Sequence, residues 1–173
     1  YLQQAGAKSI NGTTSFDRTN YFEVVPANEL ELALWLESDR LGWLMEGVTQ
    51  AKLDEQREVV KNERLQRTEN RPYGIGQEKL WQAMFPPSHP YYGKVIGSMA
   101  DLDAASMGDV KDFFGRFYAP SNTTLALAGN FDIDQTKALI QKYFGSLPKG
   151  QKPILPEIPK PRRNCRCAKW RSR

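Results

Sequence analysis

The segment Ser9-Ile10-Asn11-Gly12-Thr13-Thr14-Ser15-Phe16-Asp17-Arg18-Thr19-Asn20-Tyr21-Phe22-Glu23-Val24-Val25 decides the fold class. Its β-branched and aromatic residues suit a pleated backbone, and breaks at Asn11-Gly12 and Asp17-Arg18 divide it, so two neighbouring strands are expected; a plain edge strand bulged at Gly12 is one open reading of the first. Downstream the period changes. Leu30, Ala33, Leu34, Leu41 and Leu44 recur at helical intervals, and Asn28 with Glu31 has the spacing of a capping box, which predicts a helix over about residues 28–44. Thr49 opens a second, polar helix that runs to Glu69, where Asn70-Arg71-Pro72 stops it. Further helices are expected over 73–85, within 101–118, and from Asp132 or Asp134 to Phe144, while the three prolines of Pro86-Pro87-Ser88-His89-Pro90 impose a loop. Thr123-Thr124-Leu125-Ala126-Leu127-Ala128-Gly129 reads as a short buried strand. Strands followed by helices, then a strand and a helix, predict an α+β fold: a mainly antiparallel sheet covered by helices.

A chain of 173 residues with 40% hydrophobic and 25% charged residues is globular in composition and long enough for one core. No apolar run approaches the roughly 20 residues a membrane span needs. The formal charge of +4 is local: residues 160–173 hold seven Lys or Arg and no acid, leaving 17 basic against 20 acidic residues in the rest. The body is mildly acidic, so a nucleic-acid partner is not expected. Both cysteines, Cys165 and Cys167, lie in that tail, too few for a structural zinc site of four ligands. Prolines 148, 153, 156, 159 and 161 make a semi-rigid linker, so the expected organisation is 1–147 as one partial domain, 148–161 as linker and 162–173 as a basic tail. Tyr1 stands where an initiator Met or leader would, and the start reads as an interior cut.

One helical stripe carries the chemistry. Gln56, Val60 and Glu63 fall at i, i+4, i+7, so a carboxylate shares a face with valine. Two readings stay open: Glu63 faces water in an i,i+4 pair with Arg67, or it turns inward toward a cation that offsets its desolvation. The single histidine, His89, sits between prolines and reads as a loop residue bonded to backbone rather than a ligand.

Several segments together resemble the pitrilysin or insulinase-like zinc peptidases, a group that includes mitochondrial processing peptidase and bacterial secreted members. In order they are Gly6, Asn11-Gly12-Thr13-Thr14 and Asp17-Arg18-Thr19-Asn20-Tyr21-Phe22; Leu30-Glu31-Leu32-Ala33-Leu34 with Asp39-Arg40; Arg57-Glu58-Val59-Val60-Lys61-Asn62-Glu63; His89-Pro90-Tyr91 and Gly97; and Phe117-Tyr118-Ala119-Pro120-Ser121-Asn122 leading into Leu125-Ala126-Leu127-Ala128-Gly129. The resemblance covers about residues 1–150.

The resemblance implies an inverted zincin site, in which His-x-x-Glu-His supplies two ligands and the general base while a distant Glu supplies the third. By motif match that third ligand is Glu63, and the cofactor of the complete domain is zinc. Gln56 stands where the family often has another Glu. No His-x-x-Glu-His occurs in the chain, so it is expected to be inactive by itself, the motif falling before Tyr1. Asn11 and Gly12 match the strand that pairs with substrate, which implies a peptide or unfolded-protein partner bound in extended form. A related second domain or subunit is the other implied partner. A non-catalytic relative serving as scaffold is the alternative function. The Leu30–Trp43 segment looks most like bacterial exported members, pointing to the periplasm or outside, with the mitochondrial matrix as rival. Apolar sheet surface left open without the motif helix predicts self-association.

Overall fold

The computed structural model describes residues 1–155 and 157–159. The basic tail expected at 162–173, with both cysteines, lies outside the described residues. The chain divides into two compact units, Tyr1–Leu53 with Ala105–Ile154, and a second built on Asp54–Ala104.

In the first unit the opening segment forms an antiparallel hairpin of β1 (Lys8–Thr14) and β2 (Thr19–Val24), with Asn11 opposite Phe22, Gly12 opposite Tyr21, Thr13 opposite Asn20 and Thr14 opposite Thr19. The irregularity lies between Lys8 and Asn11, where Ser9 takes φ 55°, and not at Gly12, which pairs in register. The bulge sits one turn of the pleat earlier than the Asn-Gly signal suggests because Gly12 is used for closeness: a Cβ there would stand 3.2 Å from Tyr21 Cδ1. Helix α1 (Leu30–Trp43) follows a 3₁₀ turn at Ala27–Glu29. The capping box expected from Asn28 and Glu31 does not form. Asn28 donates instead to the Glu29 carboxylate, and Glu31 accepts from Lys142 Nζ at 2.8 Å and Tyr143 Oη at 2.6 Å. A cation and a phenol on a neighbouring helix satisfy Glu31 better than a first-turn N–H would.

Those partners belong to α6 (Ile133–Phe144), whose N-terminus is capped by Asp132 accepting from the Gln135 amide at 2.8 Å. Leu34, 2% exposed, is buried with Ala33 on α1, and Ala119 and Leu147 complete the buried apolar set among the described residues. Gly42 admits this closure, since a Cβ there would meet Leu147 Cδ2 at 2.7 Å. Helix α5 (Met107–Phe117) carries a capping box: Ser106 Oγ accepts from the Asp109 amide while the Asp109 carboxylate accepts from the Ser106 amide. The run 123–129 is not a ladder strand. Leu125 is 41% exposed, and among the described residues the run has no strand partner. Apolar alternation supplies a face, but a strand also needs a row of backbone donors and acceptors opposite it. The start of the proline stretch is docked: Ser121 donates its amide to Lys149 O at 3.0 Å.

The second unit contains most of α2 (Gln50–Arg64), which ends in a π turn at Leu65–Glu69, then α3 (Gly74–Met84) and α4 (Met99–Ala104). Its buried side chains among the described residues are Arg64, Thr68 and His89, so polar bonding holds it more than apolar burial does. Arg64 donates to Gly97 O at 2.5 Å and pairs with Glu78 at 3.1 Å and Glu69 at 3.3 Å. Around His89 the rings of Trp81, Phe85 and Tyr91 pack, with Phe85 4.4 Å from the imidazole centroid.

Tyr73, at φ 62°, turns the chain into α3, and Gly74 is required because its Cβ would stand 1.9 Å from Thr68 O, a backbone atom that cannot yield. Gly74→Ala is expected to destabilise the protein by about 1–3 kcal/mol, whereas Gly76→Ala, with open space around it, should stabilise α3 by roughly 0.5–1 kcal/mol. Urea unfolding of both variants checks the contrast.

Candidate functional site

The residues singled out for substrate and metal lie in different units: Asn11 and Gly12 on β1 of the first, Glu63 on α2 of the second.

On α2 the inward stripe is basic. Arg57 Nε donates to Leu102 O at 2.9 Å, Lys61 Nζ reaches Asp103 at 2.9 Å and Glu58 at 3.1 Å, and Arg64 is buried one turn on. Carbonyls and acids from the 97–104 segment satisfy these cations, and the bonds from Asp103 and Glu58 push the Lys61 ammonium above its ordinary value. Each helical step turns about 100°, so the residue before Arg64 falls on the border of this stripe. Glu63 accordingly keeps 39% of its side chain exposed and forms an ion pair with Arg67 at 2.7 Å. Gln56 is exposed and Val60 half-buried. Among the described residues no group of three or more His, Cys, Asp or Glu could hold a metal ion. A single carboxylate already engaged by a guanidinium does not make a zinc site, so the described donors do not by themselves fit that cofactor. His89 is not a spare donor, since its Nδ1 accepts from the Tyr91 amide at 3.0 Å.

The β1 site is set by a clasp on its neighbour strand. Tyr21, opposite Gly12, shares a hydrogen bond between hydroxyls with Tyr118 at 2.7 Å, and the Arg40 guanidinium lies 3.6 Å from the Tyr21 ring centroid. Arg40 is also paired with Glu37. Desolvation, and then the bond to Tyr21, push the Tyr118 phenol up to about 12. Desolvation likewise raises the Glu23 carboxyl, against the opposing pull of Arg40. Sequence reasoning did not find this group. Tyr21 and Tyr118 are 97 positions apart, and no local spacing links a strand aromatic to a residue after a helix.

Comparison with known proteins then places the chain. Residues 104–171 match the family described as the peptidase M16 inactive domain. The zinc protease PqqE of Helicobacter pylori is 31% identical over 137 residues, spanning 79% of this chain and 30% of that protein. A crystal structure of a protease from the same organism superposes with a TM-score of 0.77 at 29% identity, over 93% of this chain and 37% of that one. The chain belongs to the pitrilysin/insulinase-like peptidase family. It spans about a third of the length of the curated relatives it matches. The ferredoxin protease FusC, solved in complex with Arabidopsis ferredoxin, is another structural neighbour in this family, with a TM-score of 0.73 and 25% identity over 86% of this chain and 16% of that one.

The Tyr118 phenol gives an alkaline test. Because its folded pKa lies above the ordinary phenol value, the stability contributed by Tyr118 is fully present below about pH 10 and is lost as pH rises through about 12. Tyr118→Phe is expected to flatten that fall and to remove one late-ionising tyrosine from an ultraviolet pH titration.

Proposed function

We propose that this chain supplies the substrate-aligning strand and one metal-binding carboxylate of a zinc metalloendopeptidase domain, and that it does not hydrolyse peptides by itself. The observation that supports the reading most is the kinship with named zinc proteases over four-fifths of the chain. Asn11 and Gly12 lie on β1, whose far side from β2 has no strand partner among the described residues. An extended peptide adding there gains main-chain bonds without sequence preference, as suits a peptidase of unfolded segments. Glu63 is the carboxylate offered to zinc, and it would exchange its Arg67 partner for the cation once the His-x-x-Glu-His ligands are supplied. The bacterial zinc-protease relatives support a bacterial setting; the exported location and the related second domain or subunit as partner are what the family resemblance of the sequence implies.

A second reading has its own support. The matched description is of an inactive domain, and the described residues lack a metal cluster, so a scaffold or partner subunit without catalysis is the alternative.

Zinc binding separates them. The chain by itself is expected to bind no zinc at micromolar concentration, whereas a longer polypeptide with an intact upstream His-x-x-Glu-His should bind it tightly and cleave an unfolded protein. In that polypeptide Glu63→Gln should weaken zinc by about a hundred-fold or more, at least the cost of losing an outer-shell contact. Calorimetric zinc titration is the measurement, and unchanged affinity in the variant removes Glu63 from the site.

A further inference from the structure

The hairpin fixes which backbone groups β1 shows to its free edge. At the loop, the Ser15 amide donates to Arg18 O at 2.8 Å, so Ser15 and Arg18 form a hydrogen-bonded pair. Bonded and non-bonded pairs alternate along an antiparallel ladder. Asn20 with Thr13 and Phe22 with Asn11 are therefore bonded pairs, while Thr14–Thr19 and Gly12–Tyr21 are not. The close side-chain approach at Gly12 agrees, since non-bonded pairs bring their Cβ positions nearest. It follows that Gly12 and Thr14 turn their N–H and C=O away from β2. The Gly12 N–H on that edge is already engaged: it donates to Asn11 Oδ1 at 2.8 Å.

We infer that the Asn11 side chain is an internal stand-in for a partner strand, capping the Gly12 amide until an extended peptide displaces it. This rests on the reading of β1 as the substrate-aligning edge. A peptide carbonyl arriving at Gly12 exchanges one hydrogen bond for another and gains little at that rung. Net binding then comes from further rungs such as Thr14, so short or irregular segments are rejected and longer extended ones admitted. The same cap blunts the edge against pairing with a second copy. The strand pair does not shift to relieve the competition, because Tyr21 is held behind it by Tyr118 and Arg40. The bulge at Ser9 and the turn at Ser15 bound the edge, leaving residues 11–14 for pairing.

Backbone amide exchange by NMR on the full 173-residue chain, with a blocked Thr-Val-Thr-Val-Thr pentapeptide as probe, tests the inference. Asn11→Ala should exchange the Gly12 amide about ten-fold faster, and Asn11→Asp, which keeps an acceptor oxygen, should restore protection, one hydrogen bond being worth roughly that factor. The Thr13 amide, which faces β2, should stay protected in all forms and reports that the hairpin is folded. The pentapeptide should bind Asn11→Ala about three-fold to ten-fold more tightly than the native chain, perturbing Gly12 and Thr14. Unchanged Gly12 exchange in Asn11→Ala overturns the cap. Weaker peptide binding by that variant overturns displacement and gives Asn11 a gripping role. If neither form binds peptide while the exchange difference is found, the cap stands and the substrate-edge reading of β1 fails.

Discussion

The second unit is arranged around one buried guanidinium. Removing Arg64 from water without compensation would be costly, and three partners from three places in the chain offset it: the Gly97 carbonyl, Glu69 in the π turn and Glu78 on α3. Lys94 joins from the loop, bonding Thr68 Oγ1 at 3.3 Å and Gly74 O at 3.1 Å. This demand orients α2. With Arg57, Lys61 and Arg64 turned toward the 97–104 segment, Glu63 is carried to the margin, where Arg67 meets it. The orientation of the carboxylate proposed for zinc is thus a by-product of its neighbour's needs.

Much of the fold was legible because its signals are local. The hairpin follows from β-branched and aromatic density, α6 from Asp132 or Asp134 ahead of an apolar repeat, and the end of the π turn after α2, at Asn70-Arg71-Pro72, from the missing proline donor. What was misread depends on distant partners. Asn28 and Glu31 have the correct spacing for a capping box, but Lys142 and Tyr143 compete for the glutamate from 111 and 112 residues away. The 123–129 run has the composition of a buried strand without a ladder opposite it. A bulge at Gly12 is one open reading of the sequence because glycine marks bulges in general, whereas here the irregularity lies between Lys8 and Asn11 and the glycine makes room for a ring.

For the candidate site, the sequence indicated which residues to examine and little of how they are held. Asn11 and Gly12 stood out by motif, yet the side-chain oxygen on the next amide is a matter of rotamer and strand parity that spacing does not encode. Glu63 carried both an inward and an outward reading, and the ion pair with Arg67 that the outward one foresaw is present. In the sequence Arg40 is marked only by its Asp39 neighbour, and its position over the Tyr21 ring comes from tertiary packing.

The absent Cβ at residue 12 ties the rim of the hairpin to its interior. Any larger residue there presses on the Tyr21 ring, and that ring is bonded to Tyr118 and stacked under Arg40. A mutation near the amino terminus is therefore felt by an aromatic group more than a hundred positions later. Through the Tyr21 ring, a change at residue 12 is passed on to the phenol and the guanidinium behind it.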